Sequence, residues 1–303
     1  MSLAKLLKPI NDRQKEREQK FNDLLITLNQ QRLQGKHFVA IQTNYMLDSS
    51  ISFSQYIFQN KRLITLIGER HDLKWKCQED SLTVAQYCKM AVERNQKCRV
   101  MLEFHPSVDP STSQSESIKT TVASLQSINR TNQIIAFDKR DDFLTHNNHI
   151  KLYHDISPPY FISLGHENVF NYYVKIFYDK FILFGLNDAT AHTTDEATRY
   201  LYDIFLKDTI SHFDNIRDKL NKGEDLQNIR QELWHAWKKV CDFFILKEVL
   251  GSDDIDEYIV IVGKNHTHNL DKILPTIPYL TTLNFQDSKN QSDCVTLFQS
   301  YLV

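Results

Sequence analysis

Short apolar runs separated by longer helical stretches dominate the pattern of this chain. Strand candidates are His37–Gln42, Arg62–Ile67 ending at Gly68, Arg99–Glu103, Gln133–Phe137 ending at Asp138, and Tyr258–Val262 ending at Gly263. Between them, Leu82, Ala85, Cys88 and Val92 recur at helical spacing within Ser81–Asn95, and a further helix is predicted over about Ile118–Asn129. Residues Ser107–Ser117 are rich in Ser, Thr and Pro and read as a loop. From about Asn171 to Leu250 the aromatic residues, Phe170, Tyr173, Phe177, Trp234 and Trp237 among them, follow a helical period. Phe181–Phe184 is the one strand-like exception, and short strands are expected at Thr282–Phe285 and Val295–Gln299.

Alternating strands and helices are the signature of a parallel sheet. Leu63–Ile67, interrupted only by Thr65, and Tyr258–Val262 are nearly continuous apolar runs, as strands covered on both faces must be. The predicted fold is α/β: a central, mostly parallel sheet flanked by helices, with a helical insertion over about residues 171–250, before the last motif strand. Residues 1–36 are expected to form a separate amphipathic helical segment. Its apolar positions, from Leu3, Leu6 and Leu7 to Phe21, Leu24 and Leu28, lie among charges of both signs and are interrupted at Pro9. Residues 37–303 are expected to form a single domain.

Composition narrows the setting. The chain has 303 residues and a net charge of −2, so no global basic field invites nucleic acid. No apolar run is long enough for an integral membrane segment, and the N-terminus lacks the apolar core of a signal peptide. Five cysteines (Cys77, Cys88, Cys98, Cys241, Cys294) contain no CxxC pair and read as reduced structural thiols of a cytoplasmic protein. Abundant Asn, Lys and Ile suggest an AT-rich genome, such as that of a protist, a low-GC bacterium or a large DNA virus. For a virus, the location would be the host cytoplasm or the virion.

The sharpest chemical signal is a pair of Gly-x-x-His turns, Gly68–His71 and Gly263–His266. Seven Gly and 12 His would give about 0.3 such pairs by chance, and here each follows an apolar strand. Glycine permits a sharp exit from the strand, and a histidine three residues later can fold back over its end. Paired imidazoles with a carboxylate suit a divalent metal. The plainer alternative makes each Gly a strand-exit residue and each His a helix start. In a parallel sheet four polar strand ends share one edge: Gly68-Glu69, Glu103, Asp138-Lys139-Arg140 and Gly263. Ligands of such sheets sit beyond that carboxyl edge.

Glu69 and Glu103 are candidate bases or metal ligands, with a salt bridge or helix cap as the structural alternative for each. Arg140 could hold an anion, or pair with Asp138 to brace the sheet. His105 and His268 form a second tier. His146, His149 and His154, with Asp155, read as a surface loop. No GxSxG, P-loop, GxGxxG or HExxH occurs, which argues against the usual serine hydrolase, NTPase, dinucleotide enzyme and thermolysin-like protease.

LIGERHD (Leu66–Asp72), MLEF (Met101–Phe104), AFDKR (Ala136–Arg140) and IVGKNH (Ile261–His266) resemble, in order and placement, the superfamily of TIKI and TraB-like proteins, erythromycin esterases and ChaN-like haem-binding lipoproteins. The first motif is most similar to the ChaN-like branch. The resemblance implies a site of Glu69, His71, Glu103, Arg140 and His266. Across the three branches it implies metal-dependent peptide cleavage, lactone hydrolysis or haem binding. The expectation is a metal-assisted hydrolase of a small-molecule or peptide substrate bearing an ester, lactone or peptide bond. His71, His266 and Glu69 would hold Mn, Co or Zn, while Glu69, Glu103, Asp138 and Arg140 would do the chemistry. The alternatives are a non-catalytic binding protein holding haem or a small ligand, and a structural protein that has lost the chemistry.

Overall fold

The computed structural model describes residues 38–48, 50–59, 61–69, 81–113, 115–138, 226–251, 254–287 and 295–302, with isolated positions between 211 and 224. The N-terminal segment 1–36, most of the expected insertion, and the 146–155 histidine cluster lie outside these residues.

Six strands build the central sheet: β2 (Ser50–Phe58), β3 (Arg62–Glu69), β5 (Cys98–Leu102), β6 (Ile134–Ala136), β7 (Glu257–Gly263) and β8 (Leu280–Asp287). Their order is β6-β5-β7-β3-β2-β8. The pairings β5–β6, β5–β7 and β3–β7 are parallel; β2 runs antiparallel to both β3 and β8. The mostly parallel α/β sheet read from the apolar runs is therefore present. A second sheet of three strands has the order β4-β1-β9, from β1 (Phe38–Asp48), β4 (Ser81–Thr83) and β9 (Val295–Leu302).

Helices cover both faces of the larger sheet. On one face, α1 (Val84–Arg94) and α2 (Glu116–Gln126) bury Cys88, Val92, Ile118 and Val122 against Ile67, Val100 and Ile259. On the other, α3 (Leu226–Gly251) and α4 (Lys264–Ile273) bury Phe243, Leu246 and Leu270 against Leu66, Met101 and Val260. Alternate residues of one strand thus feed two separate cores, as the period-2 geometry of strands requires. The helix starts are local: Thr83 and Gln86 form a capping box for α1, and the Ser115 hydroxyl accepts the Ile118 N–H for α2.

Three differences from the sequence reading have physical causes. The helix expected from Ser81 begins at Val84, because Ser81–Thr83 pair with Met46–Asp48 as strand β4 and Thr83 becomes the cap. The polar stretch expected as loop to Ser117 includes the cap and first turn of α2. Strand β2 carries no continuous apolar run. It alternates Phe53, Gln55 and Ile57 with Ser52, Ser54 and Tyr56, and all six are buried. Its serines are tolerated in the interior because α4 supplies hydrogen-bond partners on that side.

Among the described residues, no helix is long and apolar enough to cross a membrane.

Candidate functional site

Because β6, β5, β7 and β3 are parallel neighbours, Asp138, Glu103, Gly263 and Glu69 come to one edge of the sheet. Glu103 directly follows β5, and its Oε2 accepts the Gly263 N–H at 2.9 Å. This bond joins the ends of two adjacent strands and uses one of the first backbone donors of the α4 start.

His266 lies in the first turn of α4 and is buried. Its Nδ1 is 2.6 Å from Asp242 Oδ1, and its Nε2 is 3.3 Å from Glu103 Oε1. Asp242, on α3, is fully buried, and Asn269 Nδ2 donates to its second oxygen at 3.3 Å. Burial alone would lower the His266 pKa. Hydrogen bonds to Asp242 and Glu103 outweigh it and push the group up to about 10. Burial pushes the Asp242 carboxyl up, while the His266 and Asn269 hydrogen bonds work against that rise. One imidazole facing two carboxylates keeps its second proton at neutral pH, so His266 donates from both nitrogens.

Cys241 adjoins Asp242 on α3 and is also fully buried. Glu103, Cys241 and His266 each offer one ligand atom, all within 4.8 Å of one another, a group that could hold a metal ion. The donor chemistry fits. The space between Nε2 and Oε1, which the donated Nε2 proton fills, suits a divalent cation electrostatically, and the Asp242 contact is the usual outer support of a metal-bound histidine.

The position of α4 depends on β2 and Gly68. Ser52 Oγ meets Thr267 Oγ1 at 3.0 Å, and Thr267 gives its own hydroxyl proton to the Lys264 carbonyl, so Ser52 is the donor between them. Ser54 and Tyr56 both donate to Asp271 Oδ1, at 2.6 and 2.5 Å. Burial and the Asp271 charge push the Tyr56 phenol far above its usual range, so it remains a donor. A Cβ on Gly68 would lie 2.0 Å from Ser52 Oγ and 2.8 Å from Thr267 Oγ1. Glycine is needed there for close approach of helix and strand.

This corrects the reading of Gly68 as an exit turn, while Gly263 does leave its strand as expected. Gly68 is a strand residue, since β3 continues through Glu69. Gly263 ends β7 and caps α4 with φ −60°, a value open to any residue.

The expected site residues distribute as follows. Glu103 and His266 meet directly. Glu69 is buried and accepts a 2.6 Å hydrogen bond from Ser115 Oγ, the cap of α2, on the α1–α2 side of the sheet. Asp138 is buried, and its N–H donates to the Phe104 carbonyl at 3.3 Å. His105 Nδ1 pairs with Ser107 Oγ at 2.6 Å, and His268 is exposed on α4. His71 and Arg140 lie outside the described residues.

Asp242 and Cys241 were not singled out by motif, and Cys241 was read as a structural thiol. A signal existed for Asp242. It shares a helical stripe with Ile245, Leu246 and Val249, and a carboxylate on a buried stripe requires a partner. No family model, no curated protein and no solved structure matches this chain.

Proposed function

We propose that this chain is a metal-assisted hydrolase of an ester, lactone or peptide bond, with its centre at the carboxyl edge of the sheet. The observation that carries the reading is His266, buried between Asp242 at Nδ1 and Glu103 at Nε2. A carboxylate behind one ring nitrogen fixes the tautomer and aims the other at the reacting edge. Glu103 and His266 are among the positions to which the superfamily resemblance assigns a site, and that membership is part of the proposal.

In this reading His266 and Glu103 hold the ion, with His71 as a further donor. A bound divalent ion supplies Lewis acidity to the carbonyl and lowers the pKa of a water. Asp242 keeps the Nδ1 proton and the ring orientation. Glu69, turned to the α2 cap on the other face, braces the neighbouring strand end, so the carboxylate that would take the proton of an attacking water is Glu103. Arg140 balances the developing negative charge.

The test is metal analysis of the freshly purified chain, followed by an ester, lactone and peptide screen with Mn²⁺, Co²⁺ and Zn²⁺. A bound or activating ion, with turnover lost in His266→Ala, is the expected result. Silence throughout the screen, together with a haem Soret band, would replace the proposal with a carrier function. Silence with neither metal nor ligand bound would favour a structural role.

A further inference from the structure

We propose that Cys241 is a thiolate donor of this centre and makes it selective for a thiophilic divalent ion, zinc or cobalt, over manganese. The inference rests on the metal-assisted reading above.

Three observations support it. First, one donor pair already has the spacing of a small four-coordinate ion, and the sulfur stands close enough to complete a set of three protein donors. With metal–ligand bonds of about 2.0–2.3 Å, tetrahedral donors stand about 3.3–3.6 Å apart. His266 Nε2 and Glu103 Oε1 are separated by 3.3 Å, and the Cys241 sulfur lies within 4.8 Å of a ligand atom of each. Second, Cys241 differs in setting from Cys88 and Cys98. All three are buried in hydrophobic cores, but among the described residues only Cys241 groups with an imidazole and a carboxylate, His266 and Glu103, whose ligand atoms lie within reach of one ion. None of the three is in a disulfide. Third, the charges balance. A thiolate and Glu103 neutralise a divalent ion, while Asp242 stands behind His266 as its outer partner. Sulfur in the donor set favours zinc or cobalt, whereas manganese prefers an all-oxygen and imidazole set.

The experiment uses the full chain, stripped with a chelator and loaded with Co²⁺. The expected spectrum combines the visible bands of four-coordinate cobalt with a near-ultraviolet thiolate-to-cobalt charge-transfer band. Cys241→Ser should keep visible cobalt bands and lose the near-ultraviolet band. Its Zn²⁺ affinity should fall at least about tenfold, the scale of substitutions around metal sites, with a smaller change for Mn²⁺. The combined variant Cys77→Ser, Cys88→Ala, Cys98→Ala, Cys294→Ser, which puts no hydroxyl into the core, should retain the band and keeps the test decisive if Cys241→Ser does not fold. Cobalt bound without the band, or a band that survives Cys241→Ser, overturns the role of Cys241 and leaves the metal reading intact. Failure of the wild-type chain to retain either Co²⁺ or Zn²⁺ overturns both.

Discussion

Gly68 pairs with Val262, and Glu69 with Gly263, so the glycines that open the two Gly-x-x-His segments stand one register step apart on neighbouring parallel strands. Their sequences look equivalent, but their glycines serve different purposes. Gly68 lets α4 approach the sheet at a distance no side chain would allow, whereas Gly263 begins that helix and gives its N–H to Glu103. The residues after them also part. Glu69 turns to the α2 cap, while His266, three positions after Gly263, turns to Glu103 and Asp242 on the opposite face. One glycine is a packing contact inside a strand and the other the start of a helix, so the same three-residue spacing carries different local structure.

The largest expected effects separate these two sides by chemistry. His266→Ala should abolish turnover and lose the ion. Glu69→Gln should keep the ion and change turnover far less, because its carboxylate faces the α2 cap rather than the ion. Metal content and rate constants measured on the same preparations check both. Loss of the ion from Glu69→Gln would mean that the two strand ends share one ligand set.

Next in size is the support behind His266. Asp242→Ala leaves a buried imidazole without its nearest carboxylate and should cost about 3–5 kcal/mol, read from urea unfolding. Asp242→Asn keeps the volume and should still weaken metal binding by about 10–100-fold.

The same pair sets a pH dependence with a definite sign. The His266 pKa rises on folding from 6.5 to about 10, so its stabilisation is complete below pH 6.5 and is lost as pH climbs to about 10. Thermal melts of the metal-free chain should therefore shift down across that window, and the shift should vanish in His266→Gln. A melt that rises with pH there would contradict an imidazolium held between two carboxylates.

Gly68→Ala should follow, at about 1–3 kcal/mol, because the new Cβ overlaps the Ser52 and Thr267 hydroxyls. Adding Ser52→Ala removes the nearer oxygen and should recover part of the loss, as a double-mutant cycle would show. The smallest effect is expected for Gly263→Ala, since φ −60° imposes no left-handed strain. Equal losses at the two glycines would erase the distinction between close packing and helix start.

The amino-acid pattern by itself determined the parallel strands, because Leu63–Ile67 is apolar but for Thr65, Tyr258–Val262 is apolar throughout, and such runs must be covered on both faces. It also brought Glu103 and the Gly263 segment to one edge, since parallel neighbours end together. It did not reveal β2, whose buried serines resemble loop composition until Thr267 and Asp271 of α4 supply their partners. Nor did it connect Asp242 and Cys241 to His266. Those residues lie 24 and 25 positions earlier on a helix, and no local spacing encodes which strand end a helix will cross. Tertiary packing decided that: α3 and α4 cover the same face, and a buried imidazole is stable there because the carboxylates meet it from two elements.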